Sequence, residues 1–131
     1  MAFYQIGRAE SEDYLICRIS GQLTKTDIKH IIRDVQASFV NTGLLDCLVD
    51  LRRSSHMGSS VDIYELIHDI SKLQHFEQAW AAILTSPEDQ SYQFAIIMLQ
   101  NAGFKLEPFD DELAALKWLG VADTKEKEVV A

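Results

Sequence analysis

The sequence predicts one α/β domain built on a mixed, mostly parallel sheet. Short apolar runs typical of strands alternate along the 131-residue chain with segments whose apolar residues recur at helical spacing. Strands that alternate with helices favour a parallel sheet with helical crossovers. The predicted order is strand, strand, helix, strand, helix, strand, helix, strand, helix, with four main helices. A chain of this length buries enough surface for a single ordinary core.

A hairpin and a helix are predicted first. Phe3 to Arg8 and Tyr14 to Ser20 are strand-like runs separated by a polar stretch, which indicates two antiparallel strands and makes the sheet mixed. The apolar period then becomes helical, with Thr24 or Thr26 as the N-cap and Gly43 as the end. One face of this helix carries Ile28, Ile31, Ile32, Val35 and Phe39.

The central strand is predicted at Leu44 to Leu51, because a nearly continuous apolar run is typical of a strand covered on both faces. We expect a loop from Arg52 to Ser60 and a second helix that starts near Val61 with Ser59 or Ser60 as its cap. Its inward residues would be Ile63, Leu66, Ile67, Ile70 and Leu73.

The third strand is predicted at Ala79 to Thr85. The segment Ser86-Pro-Glu-Asp89 then combines a hydroxyl cap, a proline at the first helical position and two acids, which predicts a third helix from about Pro87 to Ala102. A short strand follows at Phe104 to Phe109.

A last helix, capped by Asp110, carries Leu113, Leu116 and Leu119. The segment 121–131 has mixed charge and little apolar periodicity, so we expect a frayed tail after a domain at 1–120.

Charge and composition exclude several classes of protein. Twelve basic residues against twenty acidic ones leave a net charge of -8, which disfavours nucleic acids and anionic lipid surfaces. Met1 to Glu10 lacks the pattern of a signal peptide and no apolar run is long enough for a membrane span, so a cytoplasmic location is expected. Cys17 and Cys47 lie in strand-like segments and are predicted to be reduced and buried. No cysteine spacing resembles a zinc site, and no cofactor is expected.

The closing pattern Phe109-Asp-Asp-Glu-Leu-Ala-Ala-Leu-Lys-Trp-Leu119, together with the element order and the serine-rich loop, resembles the STAS superfamily of anti-sigma-factor antagonists. The likeness is greatest to a poorly characterised bacterial branch. The resemblance implies a serine in the loop after the central strand that accepts phosphate and thereby switches binding to a protein partner. Where the family pattern is Asp-Ser-Ser-Gly, this chain has Arg53-Ser-Ser-His56 and then Gly58-Ser-Ser-Val61.

The loop also has the residue types of an anion site. Ser54, Ser55, Ser59 and Ser60 are the candidate phosphoacceptors, and Arg52 and Arg53 are the candidate supports for a bound anion. Arginine side chains and the amides of a helix N-terminus both stabilise phosphate. The alternative is that one of the last two serines caps the helix and the others are ordinary loop residues.

Catalysis and metal binding receive little support from the sequence. Asp50 follows the central strand, where α/β sheets place ligands, but no nucleophile, glycine-rich phosphate loop or acid pair accompanies it. A structural hydrogen bond from Asp50 to the loop is the favoured role. His68 and His75 are two turns apart on the predicted second helix, too far for chelation. We therefore expect neither an enzyme nor a metal site.

The third helix has more apolar surface than one face requires. The run Tyr92 to Leu99 is nearly continuous in apolar residues, and three explanations remain open: a deep position in the core, a homodimer, or an apolar ligand. The candidate interface or pocket residues are Tyr92, Phe94, Ile97 and Met98.

Two functional hypotheses follow. The first is a non-catalytic regulatory module that binds another protein, self-associates and is controlled through the serine loop. The second is a domain that binds a small apolar molecule or lipid near the third helix. An enzyme that uses Asp50 or a histidine ranks last.

Overall fold

The secondary structure follows the predicted order from end to end. The computed structural model describes residues 2–9, 13–56, 60–73 and 75–120, and of residues 56 and 60–62 it describes the backbone. The elements are β1 (Phe3–Arg8), β2 (Leu15–Leu23), α1 (Lys25–Thr42), β3 (Asp46–His56), α2 (Ser60–Ser71), β4 (Trp80–Leu84), α3 (Gln93–Asn101), β5 (Lys105–Phe109) and α4 (112–120).

The five strands form one sheet in the order β1-β2-β3-β4-β5. β1 pairs antiparallel with β2, and every other neighbouring pair is parallel. The predicted mixed, mostly parallel α/β fold is therefore confirmed, and β3 is the central strand.

Helix α1 begins and ends where its sequence predicts. Thr24 and Asp27 form a capping box, in which the Asp27 amide donates to the Thr24 hydroxyl at 3.2 Å and the Thr24 amide donates to the Asp27 carboxylate at 2.9 Å. Gly43 ends the helix in the left-handed region at φ 73°, a conformation that costs glycine little, and its amide donates to the Phe39 carbonyl. Local sequence signals suffice for this element.

The sheet has two unlike faces. The front face packs against α1 and α3 through a large cluster that includes Leu15, Cys17, Phe39, Cys47 and Ile96. The back face packs against α4 through a smaller cluster built on Leu48, Ala82, Leu84, Ala115 and Leu119. Because side chains alternate along a strand, each central strand supplies both clusters.

Aromatic side chains extend the smaller cluster. Trp80 and Trp118 pack with ring centroids 5.4 Å apart, and Phe109 lies 5.9 Å from Trp118. Both tryptophans thus contribute to packing between α4 and the edge of the sheet.

Strand β3 is longer than predicted. The expected loop from Arg52 to Ser60 is wrong over its first half, since Arg52 to His56 continue the strand. β2 also runs on to Leu23, and its last residues pair with this extension. Pairing with a neighbouring strand outweighs the weak strand preference of serine, and residues 57–59 lie outside the described residues.

The predicted start of the third helix is wrong by six residues. Ser86 does not cap a helix, because its hydroxyl donates to the Arg52 carbonyl at 3.2 Å. Asp89 instead accepts the Ser91 amide at 2.9 Å, an Asx turn that competes with helix formation. The helix begins only at Gln93, after Tyr92, whose side chain makes no capping hydrogen bond.

Two smaller expectations at helix ends also need correction. Asp111, not Asp110, caps α4, since its carboxylate accepts the Ala114 amide at 3.0 Å. Leu113 on this helix is 62% exposed.

His75 lies beyond the end of α2 at φ 80°, so His68 and His75 do not share a helix. The predicted tail 121–131 lies outside the described residues.

Candidate functional site at the end of the central strand

A β-bulge gathers arginines on the back face of the sheet. Arg18 pairs with Asp50 and Ser20 pairs with Arg53. Between these two pairs β3 therefore has one residue more than β2. Regular alternation along β3 would place Arg53 on the face opposite to Asp50. The extra residue reverses the alternation, so Arg53 lies on the same face as Asp50. Arg18, Arg52 and Arg53 consequently line one cleft of about 730 Å³ together with Ser20 and Asp50.

Asp50 is the centre of this group of side chains. It is only 8% exposed. Arg18 Nη1 donates to its Oδ2 at 2.7 Å, while Arg52 donates from Nε to Oδ1 and from Nη2 to Oδ2, both at 2.9 Å. The Arg52 amide adds a bond to Oδ1 at 3.1 Å. The carboxylate is thus fully engaged by two guanidinium groups and one backbone donor.

These contacts decide the protonation of Asp50. Burial on its own would raise the pKa, but the side-chain and backbone hydrogen bonds of Arg52, with that of Arg18, lower the pKa to about 2. A carboxylate with so low a pKa is a weak base, and its oxygens already accept hydrogen bonds. The geometry supports the structural role expected for Asp50.

Glu112 of α4 closes the cluster from the other side. Its Oε1 accepts from Arg18 Nη1 at 3.1 Å and from Arg52 Nη2 at 3.3 Å. The two arginines are therefore each held between two carboxylates, and α4 is tied to β2 and β3 where its apolar contacts end. Arg18, Asp50, Arg52 and Glu112 are called the ionic cluster below.

The candidate serines have different environments. Ser54 is 8% exposed and its hydroxyl donates to the Leu51 carbonyl at 2.8 Å, so the Tyr92 hydroxyl must donate to Ser54 Oγ across their 2.6 Å contact. Ser55 is exposed on the strand. Ser59 lies outside the described residues, and Ser60 is the first residue of α2 with its side chain outside them.

The candidate residues of the third helix also differ in their exposure to solvent. Tyr92 is buried and lines an apolar cavity of about 150 Å³ between the helices and the front face. Phe94 and Ile97 are each 47% exposed, and Met98 is half-buried. The cavity is lined from this helix by Ala95, Ile96 and Leu99 instead.

Other expectations concern metals, thiols and the membrane. Burial raises the pKa of Cys17 to about 12, and both cysteines are buried free thiols. In the part of the chain that the structure describes, no three histidine, cysteine, aspartate or glutamate side chains are grouped as a metal site would require. Nor is any helix there long and apolar enough to cross a membrane.

Sequence analysis missed Arg18 and Glu112. Arg18 interrupts an otherwise apolar strand, and Asp50 is an acid at the end of the neighbouring one, so the opposite charges were a usable signal. Glu112 is 94 residues from Arg18 along the chain, and only the docking of α4 brings the two together.

The fold and the element order define a STAS-type domain. An anti-sigma factor antagonist from Mycobacterium paratuberculosis has a TM-score of 0.63 and 13% identity, with 91% of this chain and 94% of that chain covered. The unphosphorylated anti-sigma factor antagonist SpoIIAA has a TM-score of 0.54 and 13% identity, covering 89% of this chain and 97% of that chain. Among curated proteins, none has significant sequence similarity to this chain.

The family can be stated more narrowly. An uncharacterised protein with a SpoIIAA-like fold from Shewanella loihica PV-4 has a TM-score of 0.61 and 20% identity, with 90% of this chain and 93% of that chain covered. Residues 14–120 match the SpoIIAA-like family model. This chain belongs to the SpoIIAA-like family, and the resemblance to STAS domains seen in the sequence is confirmed.

Proposed function

We propose that this chain is a non-catalytic regulatory module that binds another protein through the surface at the end of β3. One observation carries the proposal: the bulge in β3 brings Arg53 and the exposed Ser55 to the surface beside the ionic cluster. The fold shared with anti-sigma factor antagonists supports the same class of function. Fold likeness by itself does not establish that function, because one fold serves many functions.

The chemistry of the site favours binding over catalysis. Asp50 is an ionised, saturated carboxylate, and its partners are arginines, which stay protonated at any physiological pH. Such a cluster presents fixed charges and hydrogen-bond donors but has no group poised to exchange a proton. Fixed charges suit recognition of a partner.

Ser55 is the phosphoacceptor that we favour among the serines described. A phosphate there would add nearly two negative charges beside Arg53 and change the charge that a partner meets. Ser54 is a poorer acceptor, because modifying it requires breaking its buried hydrogen bonds to Leu51 and Tyr92.

A photo-crosslinking experiment tests the proposal. We would place a benzophenone amino acid at position 55 or at position 40, an exposed position on α1, and irradiate cells of the source organism. Position 55 should give a discrete adduct with one other protein, and position 40 should not. Intact mass measurement of the same protein reports covalent phosphate.

The proposal fails if neither position gives an adduct, or if both give the same diffuse set. Its regulatory part fails if purified protein carries no phosphate and Ser55→Glu leaves the adduct at a neighbouring probe position unchanged.

Self-association is a further part of the proposal. Phe94 and Ile97 expose apolar side chains on α3, which favours a second copy of the chain as the covering surface. Sedimentation velocity should detect a dimer that Ile97→Glu dissociates. Val40→Glu, on exposed α1, is the matched control and should leave the dimer intact.

A second candidate function, binding of a small apolar molecule, rests on the cavity beside Tyr92. Its volume of about 150 Å³ suits a group of roughly the size of benzene. Native mass spectrometry should show a bound mass that Ala95→Leu, which fills the cavity, removes. Protein from its own cells that yields no compound on organic extraction would rule this candidate out.

A further inference from the structure

We infer that the partner carries an acidic segment, which docks on the open back face of β1 to β3 with its carboxylates on Arg18, Arg52 and Arg53. This inference rests on the proposed function and adds the chemistry of the partner. The docking surface is defined by these three arginines with Phe3, Gln5 and Ser20, all of which line the same cleft.

Among the residues that the structure describes, α4 covers only part of the back face, and the docking surface lies outside that part. The apolar contacts of α4 centre on Leu48, Ala82 and Leu84 of β3 and β4. On β1, Phe3 is 66% exposed and Gln5 is exposed too. An apolar ring beside three arginines matches the composition of many protein interfaces, in which aromatic residues and arginine are enriched.

The arginines keep donors for a partner. Arg18 uses Nη1 for both of its carboxylates, so its Nε and Nη2 make no hydrogen bond within the described part of the chain. Arg52 likewise keeps Nη1. Arg53 is exposed and has no ion pair with any described residue. Asp50 and Glu112 therefore orient two guanidinium groups in advance, which lowers the entropy lost on binding.

Charge decides which occupant fits. The three arginines of the surface outnumber the two carboxylates that lie against them, Asp50 in the cleft and Glu112 on α4, whereas the whole chain has a net charge of -8. A nucleic acid or an anionic membrane extends far beyond this surface and would meet the repulsive field of the whole molecule. A short acidic segment of a protein meets mainly the local arginines, because charges beyond a Debye length are screened.

Regulation through Ser55, which is already part of the proposed function, would act on this docking surface. Ser55 pairs with Gln22 two residues after Arg53, on the same face of the sheet. A phosphate on Ser55 would occupy Arg53 and compete with the carboxylates of the partner. Phosphorylation should therefore weaken docking.

The experiment is an NMR titration of isotope-labelled full-length protein with a blocked octaglutamate peptide, and with octaglutamine as the uncharged control. Octaglutamate should shift the Nε–Hε signals of Arg18, Arg52 and Arg53 and the backbone amides of β1 to β3. Raising the salt from about 50 to about 300 mM should weaken the binding, because the contacts are ionic.

Matched variants test whether octaglutamate binds specifically to the docking surface. Arg53→Glu should weaken octaglutamate binding at least about fivefold, because it reverses a charge that contacts the ligand. Arg33→Glu makes the same charge change on exposed α1 and should leave the affinity within about twofold. Ser55→Glu should weaken binding, and Ser71→Glu at the end of α2 should not. The same spectra report whether each variant is folded.

Four results would overturn the inference: no shifts with octaglutamate, equal weakening by Arg53→Glu and Arg33→Glu, shifts that map away from the three arginines, or tighter binding of the same arginines to phosphatidylserine vesicles. The last result would make a membrane the occupant. If the adduct at position 55 forms in cells but octaglutamate produces no shifts, the proposed function stands and only this inference fails.

Discussion

The two faces of the sheet use the same strands for opposite purposes. On the front face, Cys17 and Leu51 are sealed under the helices in a dry apolar core. One residue away on each strand, Arg18 and Asp50 point to the back face and form an ionic cluster at the edge of α4. Because adjacent side chains of a strand point to opposite faces, one residue can pack in the front-face core while its neighbour places a charge on the back face.

The comparison also shows how far a helix covers a sheet. Helices α1 and α3 pack on the front face, whereas among the described residues α4 alone covers the back-face region around Leu48. The ionic cluster lies where that coverage ends, because partly solvated arginines can neutralise a carboxylate there at a smaller desolvation cost than in the interior.

The largest effect is expected from the front-face core. Leu15→Ala removes a side chain that is 1% exposed, and the transfer and cavity costs together should lower the free energy of unfolding by about 3 kcal/mol. Leu48→Ala should cost a similar amount, since α4 seals its site. Urea denaturation measures both. Leu113→Ala is the exposed control and should cost less than about 0.5 kcal/mol. A small loss for Leu48→Ala would show that the back-face core is loosely packed.

Breaking the ionic cluster should have the next largest effect. Asp50→Asn leaves two guanidinium groups facing each other without their shared carboxylate, and we expect a loss of about 2 kcal/mol in the free energy of unfolding. Glu112→Gln, at a more exposed position, should cost no more than about 0.5 kcal/mol. Equal costs for the two variants would contradict the central role of Asp50.

The same carboxylate predicts a pH dependence. The pKa of Asp50 in the folded chain is lowered from 3.8 to about 2, so its contribution is complete above about pH 4 and is lost as the pH falls through 2. On the order of 1–2 kcal/mol should disappear over this window, allowing for solvent around the arginines. The difference between wild type and Asp50→Asn, measured by denaturation at each pH, isolates this term. A difference that stays constant from pH 4 to pH 2 would refute it.

The smallest effect concerns the buried hydrogen bond between the hydroxyls of Tyr92 and Ser54. Tyr92→Phe removes the donor to Ser54 and should cost about 1 kcal/mol of stability. A double-mutant cycle with Ser54→Ala should return a coupling free energy of similar size. Additive costs would mean that the two hydroxyls are satisfied independently.

Much of the fold could be predicted from the sequence because its signals are local. The capping box at Thr24, the left-handed Gly43 and the alternation in the hairpin each act within a few residues. Predictions failed where contacts with distant residues competed with local signals. Ser86 donates to Arg52, and Ser54 and Ser55 pair with the extended β2, so a strong helix start and an apparent loop were both overruled.

The candidate site was predicted only in part. Arg52, Arg53 and the serines were identified from their residue types, but their division into buried, paired and exposed groups depends on the bulge. A bulge shifts the register by one residue and so reverses the face on which each following side chain lies. No local pattern in these residues predicts the bulge.

The sequence by itself determined the fold class, the element order and the faces of α1, because hydrophobic period and capping chemistry act over one or two turns. Only the tertiary structure decided that Asp50 binds Arg18 across 32 residues and that Glu112 joins them from α4. Strand register and helix docking set these contacts, and both depend on the free energy of the whole packed chain.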